Sequence, residues 1–207
     1  MKILNIFLLT FLLFFSVTSC KKKQLPSERR VFGQALEYGT DKPIAGAVVE
    51  LYSSGTDGTG SSSLTENTVT TDAEGRFEIL FETADISSIK IKADGYFDSQ
   101  ESFLNASRDN EEVLYLDPFA WLHMRVVNEI PAEASDKIFL SALIAPNPGS
   151  SEEHTGENVN LNYTIRKRGN RELRVSWNTY ETEGQTGMFR DTVFLNAHDT
   201  LHYEIIY

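Results

Sequence analysis

The sequence predicts an all-β protein, one β-sandwich followed by a second, antiparallel β-sandwich. Three observations carry that expectation. From residue 31 onward apolar side chains recur at alternate positions, and helical spacing is almost absent. Beyond residue 117, turn-forming residues interrupt the chain at intervals of about ten residues, as between the short strands of a sandwich. The chain has one cysteine, so no internal disulfide is available and apolar packing alone must hold the fold.

The elements follow in order. "RVFGQALEY", residues 30 to 38, reads as the first strand, and "VVELY", residues 48 to 52, as the next. "SSGTDGTGSSS", residues 53 to 63, lacks apolar surface and reads as a flexible loop. In "TTDAEGRF", Asp72 can accept hydrogen bonds from the backbone ahead of it and Gly75 can take a positive φ, which predicts a short hairpin. "RFEILF", residues 76 to 81, sets Phe77, Ile79 and Phe81 on one face. "SIKIKA", residues 88 to 93, points Ile89 and Ile91 inward and Lys90 and Lys92 outward. A strand ending "VLYLD" then meets Pro118, which cannot donate to a ladder, so a boundary is expected there.

Beyond it, strands are expected at 119–127, 137–145, 158–166, 171–179, 190–196 and 200–207. "KIFLSALIA", residues 137 to 145, is apolar on both faces and suits a buried central strand. "NPGSSEEHTGEN", residues 147 to 158, reads as a second long polar loop, and Gly169-Asn170 as a hairpin turn. "LHYEIIY" places Leu201, Tyr203, Ile205 and Tyr207 on one face. No sequence repeat relates the two halves.

The first thirty residues differ in kind. Met1-Lys2 precede an apolar run, "ILNIFLLTFLLFFSV", residues 3 to 17. That is the layout of a secretory signal, shorter than the roughly 20 apolar residues of a membrane span. Val17-Thr18-Ser19-Cys20 resembles the lipobox of bacterial lipoproteins. The resemblance implies that residues 1–19 are a cleaved signal peptide and that acylated Cys20 anchors the mature chain in a membrane. Lys21, where that family places aspartate for inner-membrane retention, favours the outer membrane. The expected order is signal peptide 1–19, tether 20–30, first sandwich 31–117 and second sandwich 118–207.

Charge is split along the chain. Residues 21–30 carry Lys21, Lys22, Lys23, Arg29 and Arg30 against Glu28 alone, suited to an anionic membrane surface. Residues 31–207 hold 13 basic and 29 acidic residues, a net of −16. Such an acidic body argues against nucleic acid as a partner, because phosphate contacts need clustered Lys and Arg.

"DKPIAGAVVEL" (41–51), "TTDAEGRFEI" (71–80), "ADGYF" (93–97) and Gly33 together resemble the carboxypeptidase regulatory-like domain. The resemblance covers about residues 31–117 and implies a transthyretin-like sandwich of about seven strands. In carboxypeptidases this module is an accessory beside a separate zinc-bearing catalytic domain, for which no counterpart is seen. Related modules of surface fibres carry a Lys–Asn isopeptide clamp that needs a lysine in the first strand, and residues 30–38 have none.

No constellation for catalysis stands out. Gly-x-Ser-x-Gly, His-Glu-x-x-His, a phosphate loop and a cysteine nucleophile in the mature fold are all missing. No catalytic residue, metal ligand set or cofactor is expected. His198 and His202 read as surface histidines about a turn, and His154 with Glu152 and Glu153 as at most a weak cation site. Two surface features are candidates for ligand contact. In "FAWLHMRVV", residues 119 to 127, Trp121, His123 and Arg125 alternate with core residues and can meet a sugar ring or a peptide. Arg166, Lys167, Arg168 and Arg171 cluster about Gly169-Asn170 and can meet an anionic group. The function expected is a lipid-anchored, non-enzymatic binding or assembly module of the cell envelope, with a glycan or protein as partner. An accessory lipoprotein of an outer-membrane nutrient (glycan) uptake system is the alternative, and a hydrolase with an unrecognised carboxylate site the third.

Overall fold

The computed structural model describes residues 28–54, 62–81, 86–98, 102–105, 107–129, 133–141, 143–144, 149–181 and 184–207. Cys20, the tether before residue 28 and most of the 53–63 segment lie outside the described residues. Every described element is a strand. The first half contributes β1 (Arg29–Glu37), β2 (Val48–Ser54), β3 (Ser62–Thr70), β4 (Arg76–Phe81), β5 (Ile86–Lys92), β6 (Ser102–Phe103) and β7 (Asn110–Leu116). The second contributes β8 (Phe119–Val127), β9 (Lys137–Leu140), β10 (Glu152–Thr155), β11 (Asn160–Arg168), β12 (Arg171–Glu181), β13 (Gly184–Leu195) and β14 (Thr200–Ile206).

Four sheets form two sandwiches. In the first, β4-β1-β7 faces β3-β2-β5-β6; in the second, β11-β8-β14 faces β10-β9-β12-β13. Adding seven to each strand number of the first sandwich yields the second, so one topology occurs twice. A structural repeat is therefore present where the sequence shows none. Each sandwich also contains one parallel pair, β1 with β7 and β8 with β14, so the second is not purely antiparallel.

Each sandwich has its own core. Val31, Leu51, Phe77, Ile89, Ile91 and Leu116 lie in the first cluster; Leu122, Met124, Ile138, Leu140, Val175 and Ile205 lie in the second. Strand alternation accounts for the inward sets, since successive side chains leave opposite faces of a sheet. Gly33 is on the inner side of β1, where a Cβ would overlap the carbonyl oxygen of Glu112 on β7. Close approach of two parallel strands is the physical requirement for glycine there.

Several expectations need correction. The 137–145 strand ends at Leu140, and Ile144 instead folds into the second core from a turn. The 147–158 segment contains strand β10, paired antiparallel with β9. Residues 62–70 form β3 on the edge of its sheet, where a loop was expected to reach residue 63. Asp72 does accept from the N–H groups of Glu74 (3.0 Å) and Arg76 (2.7 Å), and Gly75 has φ 72°. Yet β3 and β4 belong to different sheets, so that turn is a corner across the sandwich and not a hairpin. Gly169-Asn170 is a corner for the same reason, joining β11 to β12 of the opposite sheet.

Candidate binding face and the junction beside it

The outer face of β11-β8-β14 carries the first group of candidate residues. Leu122, Met124 and Val126 are fully buried, so Trp121, His123 and Arg125 are on the other side of β8. Register sets Arg166 and Thr200 beside Trp121, Thr164 and His202 beside His123, and Asn162 and Glu204 beside Arg125. His123 Nδ1 is 3.0 Å from Thr164 Oγ1, and Arg125 pairs with Glu204. Trp121 is half-buried, its ring edge-on to Phe119 at 6.3 Å; Phe119 in turn meets Phe97 of the first sandwich at 4.7 Å. The result is an open, polar and aromatic strip that ends against the other sandwich.

The basic group is not a projecting tip. The Arg166 guanidinium is over the rings of Phe119 (4.3 Å) and Phe97 (5.4 Å), a cation–π arrangement. Arg168 Nε is 3.3 Å from Asp117, Arg171 is bonded to the same carboxylate, and Arg171 also covers the Tyr38 ring at 3.9 Å. Lys167 is on the opposite face of β11, half-buried, and desolvation pulls its pKa below the usual lysine value. The corner geometry turns Arg168 and Arg171 toward the first sandwich, so three of the four cations help form the junction between the halves.

At the centre of that junction is Glu37, only 4% exposed. Its carboxylate accepts hydrogen bonds from Thr40 Oγ1 (2.8 Å), Tyr96 OH (2.9 Å) and Asn170 Nδ2 (3.2 Å), and His198 Nε2 is 3.1 Å away. Two of these partners come from each sandwich side of the chain: Thr40 and Tyr96 from the first, Asn170 and His198 from the second. Burial pushes the Glu37 pKa up, but the four side-chain hydrogen bonds outweigh it and hold the carboxyl below its ordinary range. Tyr96 is pushed up to about 12 by burial and by its bond to Glu37. Asn170 also donates to Tyr38 O (2.8 Å) and accepts from Ala197 N (3.1 Å). Both Asn170 (φ 52°) and His198 (φ 57°) hold left-handed backbone, which Asn and His tolerate better than most residues. Backbone bonding crosses the seam from Phe119 N to Gly95 O (2.8 Å), and Gly169 N bonds Pro118 O (2.7 Å) beside it.

The sequence did not single out Glu37, though a signal was present. Val31, Ala35 and Glu37 share the inward parity of β1, and a charge at an inward position demands partners. His198 and His202 are both exposed, as expected of surface histidines, yet His198 reaches Glu37 through Nε2 and His202 lies beside His123 (ring centroids 5.0 Å). His154 bonds Tyr163 OH (2.8 Å) with Glu152 at 3.7 Å, while Glu153 pairs with Lys137. No group of three or more His, Cys, Asp or Glu side chains converges among the described residues.

No protein family matches the chain by sequence, and no curated protein is similar to it. Solved structures do align. The Bacillus anthracis TIE protein aligns with 86% of this chain at 6% identity and a TM-score of 0.36. A 9R-lipoxygenase from Cyanothece aligns with 45% at 20% identity and a TM-score of 0.32. A minor pilin from Streptococcus agalactiae aligns with 86% at 13% identity and a TM-score of 0.37. The chain spans 34% of the first, 17% of the second and 94% of the third.

Proposed function

We propose that this chain is a lipid-anchored, non-enzymatic module of the bacterial cell envelope. In it, two β-sandwiches form a stiff carrier for an exposed ligand-contact face. The observation that carries this reading is the junction. A buried carboxylate bonded from both sandwiches, Asp117 shared by two arginines, and Arg166 over two aromatic rings oppose bending at residue 118. The signal run, Cys20 and the basic tether supply the expected anchor at one end. Trp121, His123, Arg125 and Arg166 supply a face suited to a glycan or an extended peptide, through ring stacking and hydrogen bonding.

Stiffness is testable by small-angle scattering from the soluble chain beginning at residue 28. The wild type should fit a single arrangement of the two sandwiches, and Glu37→Ala should require a spread of arrangements. A wild type that already needs such a spread would end the carrier reading. Anchoring is tested separately. The full chain should take up a fatty-acid label and follow the outer-membrane fraction, and Cys20→Ala should do neither.

A further inference from the structure

The outer face of the β11-β8-β14 sheet, which the proposed function uses as a contact face, also pairs two histidines in a way that ring stacking and hydrogen bonding to a ligand do not require. His123 on β8 and His202 on β14 are direct partners in the parallel register, with ring centroids 5.0 Å apart and planes inclined at 57°. Two imidazoles bound to one tetrahedral metal through bonds of about 2.0–2.1 Å have centroids about 5 Å apart. The centroid spacing of the two rings therefore matches that of two imidazoles sharing one metal. Thr164, the partner of His123 on the other side, sets its Oγ1 3.0 Å from His123 Nδ1. With the proton on Nδ1 donated to that hydroxyl, the Nε2 lone pair of His123 is left for a metal. Such an outer-shell bond is how ligating histidines are held in tautomer and orientation. Neither ring nitrogen of His202 has a hydrogen-bond partner among the described residues. Glu204, the nearest carboxylate by register, is engaged by Arg125.

We propose that His123 and His202 form a two-imidazole site for a divalent transition metal of the Zn2+, Ni2+ or Cu2+ class. Thr164 is its positioning residue. Only two protein ligands are present, so the remaining coordination positions belong to water or to an oxygen or nitrogen donor from a partner molecule. The site is thus an open one, on the same strip as Trp121. Imidazole and divalent first-row metals are well matched, whereas Ca2+ and Mg2+ prefer oxygen ligands, so the latter two should not compete. Because the ligands must be neutral to bind, the metal must compete with protons. The charged groups facing the pair are Arg125, Glu204 and Arg166, all on the same solvent-facing side of the sheet.

The test is titration of the untagged full chain, in detergent, with Ni2+ or Zn2+ by calorimetry. Paramagnetic Ni2+ broadening of the histidine ring signals reports which imidazoles bind. One metal per chain is expected, with broadening confined to His123 and His202. His123→Ala or His202→Ala should each abolish the one-to-one event while melting and circular dichroism stay as in the wild type. Thr164→Ala should weaken binding by about tenfold, and Thr164→Ser should restore it. His154→Gln, in a different sheet, should leave affinity unchanged. The proposal is overturned if the wild type takes up no metal. Binding that survives loss of His123 or His202, or that disappears with His154, overturns it equally.

Discussion

The two sandwiches share a topology and differ in how completely they satisfy it. Five buried side-chain polar atoms lack a hydrogen-bond partner among the described residues, and all five are in the second sandwich: Ser141 Oγ, Glu152 Oε2, Arg171 Nε, Trp177 Nε1 and Tyr207 OH. The first sandwich instead gives its buried polar groups partners. Thr71 donates to Ile44 O (2.6 Å) and accepts from Ala47 N (2.9 Å), and Asn110 caps the turn before β7. An unsatisfied buried polar atom costs about 1–3 kcal/mol. The same strand plan can therefore be held at different stability, and the second copy should be the first to open.

The largest expected effect would break the comparison at its parallel pairs. β1 needs Gly33 because β7 passes against it, whereas β8 contains no glycine. Gly33→Ala drives a Cβ into backbone, which cannot rotate away as a side chain can. Destabilisation of at least about 3 kcal/mol is expected, the upper end for overpacking. Hydrogen exchange should rise in β1 and β7 and change less in β8 and β14. Leu122→Ala, a cavity in the second core, should cost about 2–5 kcal/mol with the opposite distribution. If both variants raise exchange equally in all strands, the two copies form one cooperative unit and the comparison fails.

What could be read from the sequence divides along the same lines. Strands with one apolar face were legible: residues 76–81 and 119–127 form where alternation placed them. β3 and β10 were not, and they occupy equivalent edge positions in the two copies. An edge strand with polar residues, such as "EEHT", satisfies only one neighbour and needs no apolar alternation, so it reads as loop. The corners at Asp72–Gly75 and Gly169-Asn170 mislead for another reason. Local turn chemistry fixes φ and ψ but does not say which sheet the next strand joins. Of the candidate site, the outward row of β8 was legible from parity alone. The Glu37 cluster was not, because its members are up to 161 residues apart.

The next effect tests the junction. Glu37→Ala removes one acceptor from four donors and should lower stability by about 3 kcal/mol, measured by denaturant titration. Glu37→Gln keeps the shape and should lose less. The pH dependence has a definite sign. The folded pKa of Glu37 lies below its unfolded value, so the unfolded state binds more protons between the two and stability rises with pH there. The contribution of Glu37 is fully present above the unfolded value, about 4.3, and disappears as pH falls through the folded one. Glu50 and Asp109 shift in the same direction, so the readout is the difference between wild type and Glu37→Gln. An identical acid slope in the two proteins would show that Glu37 is not the junction's ionised centre.

A smaller change sharpens the contrast in satisfaction. Tyr207→Phe removes a buried hydroxyl that has no partner among the described residues, and burial has already pushed that phenol up to about 12. Removing the polar atom without changing the ring should stabilise the second sandwich by about 1 kcal/mol, seen as a higher melting temperature. Tyr96→Phe is the counterpart in the first sandwich, where the hydroxyl does bond Glu37 at 2.9 Å. That variant should be destabilised by about the same amount. Equal signs for the two variants would remove the difference between the copies.

The smallest effect belongs to the exposed face, and its smallness is informative. Arg125 and Glu204 form an ion pair across β8 and β14, with both side chains nearly half exposed. Solvent screening and side-chain ordering leave such pairs with about 0–1 kcal/mol, so Arg125→Gln should shift the melting temperature by no more than a degree or two. The same substitution removes a donor from the middle of the strip that holds Trp121 and His123. A face that exists to contact a ligand can lose Arg125 without losing the fold, whereas a structural pair cannot. The measurement is therefore paired: melting of Arg125→Gln, and retention of wild type and variant on an array of glycans and extended peptides. Unchanged melting with lost retention places Arg125 in the contact face. A drop of several degrees would assign the pair to the β8–β14 ladder instead, leaving Trp121 and Arg166 as the residues through which the strip meets its ligand.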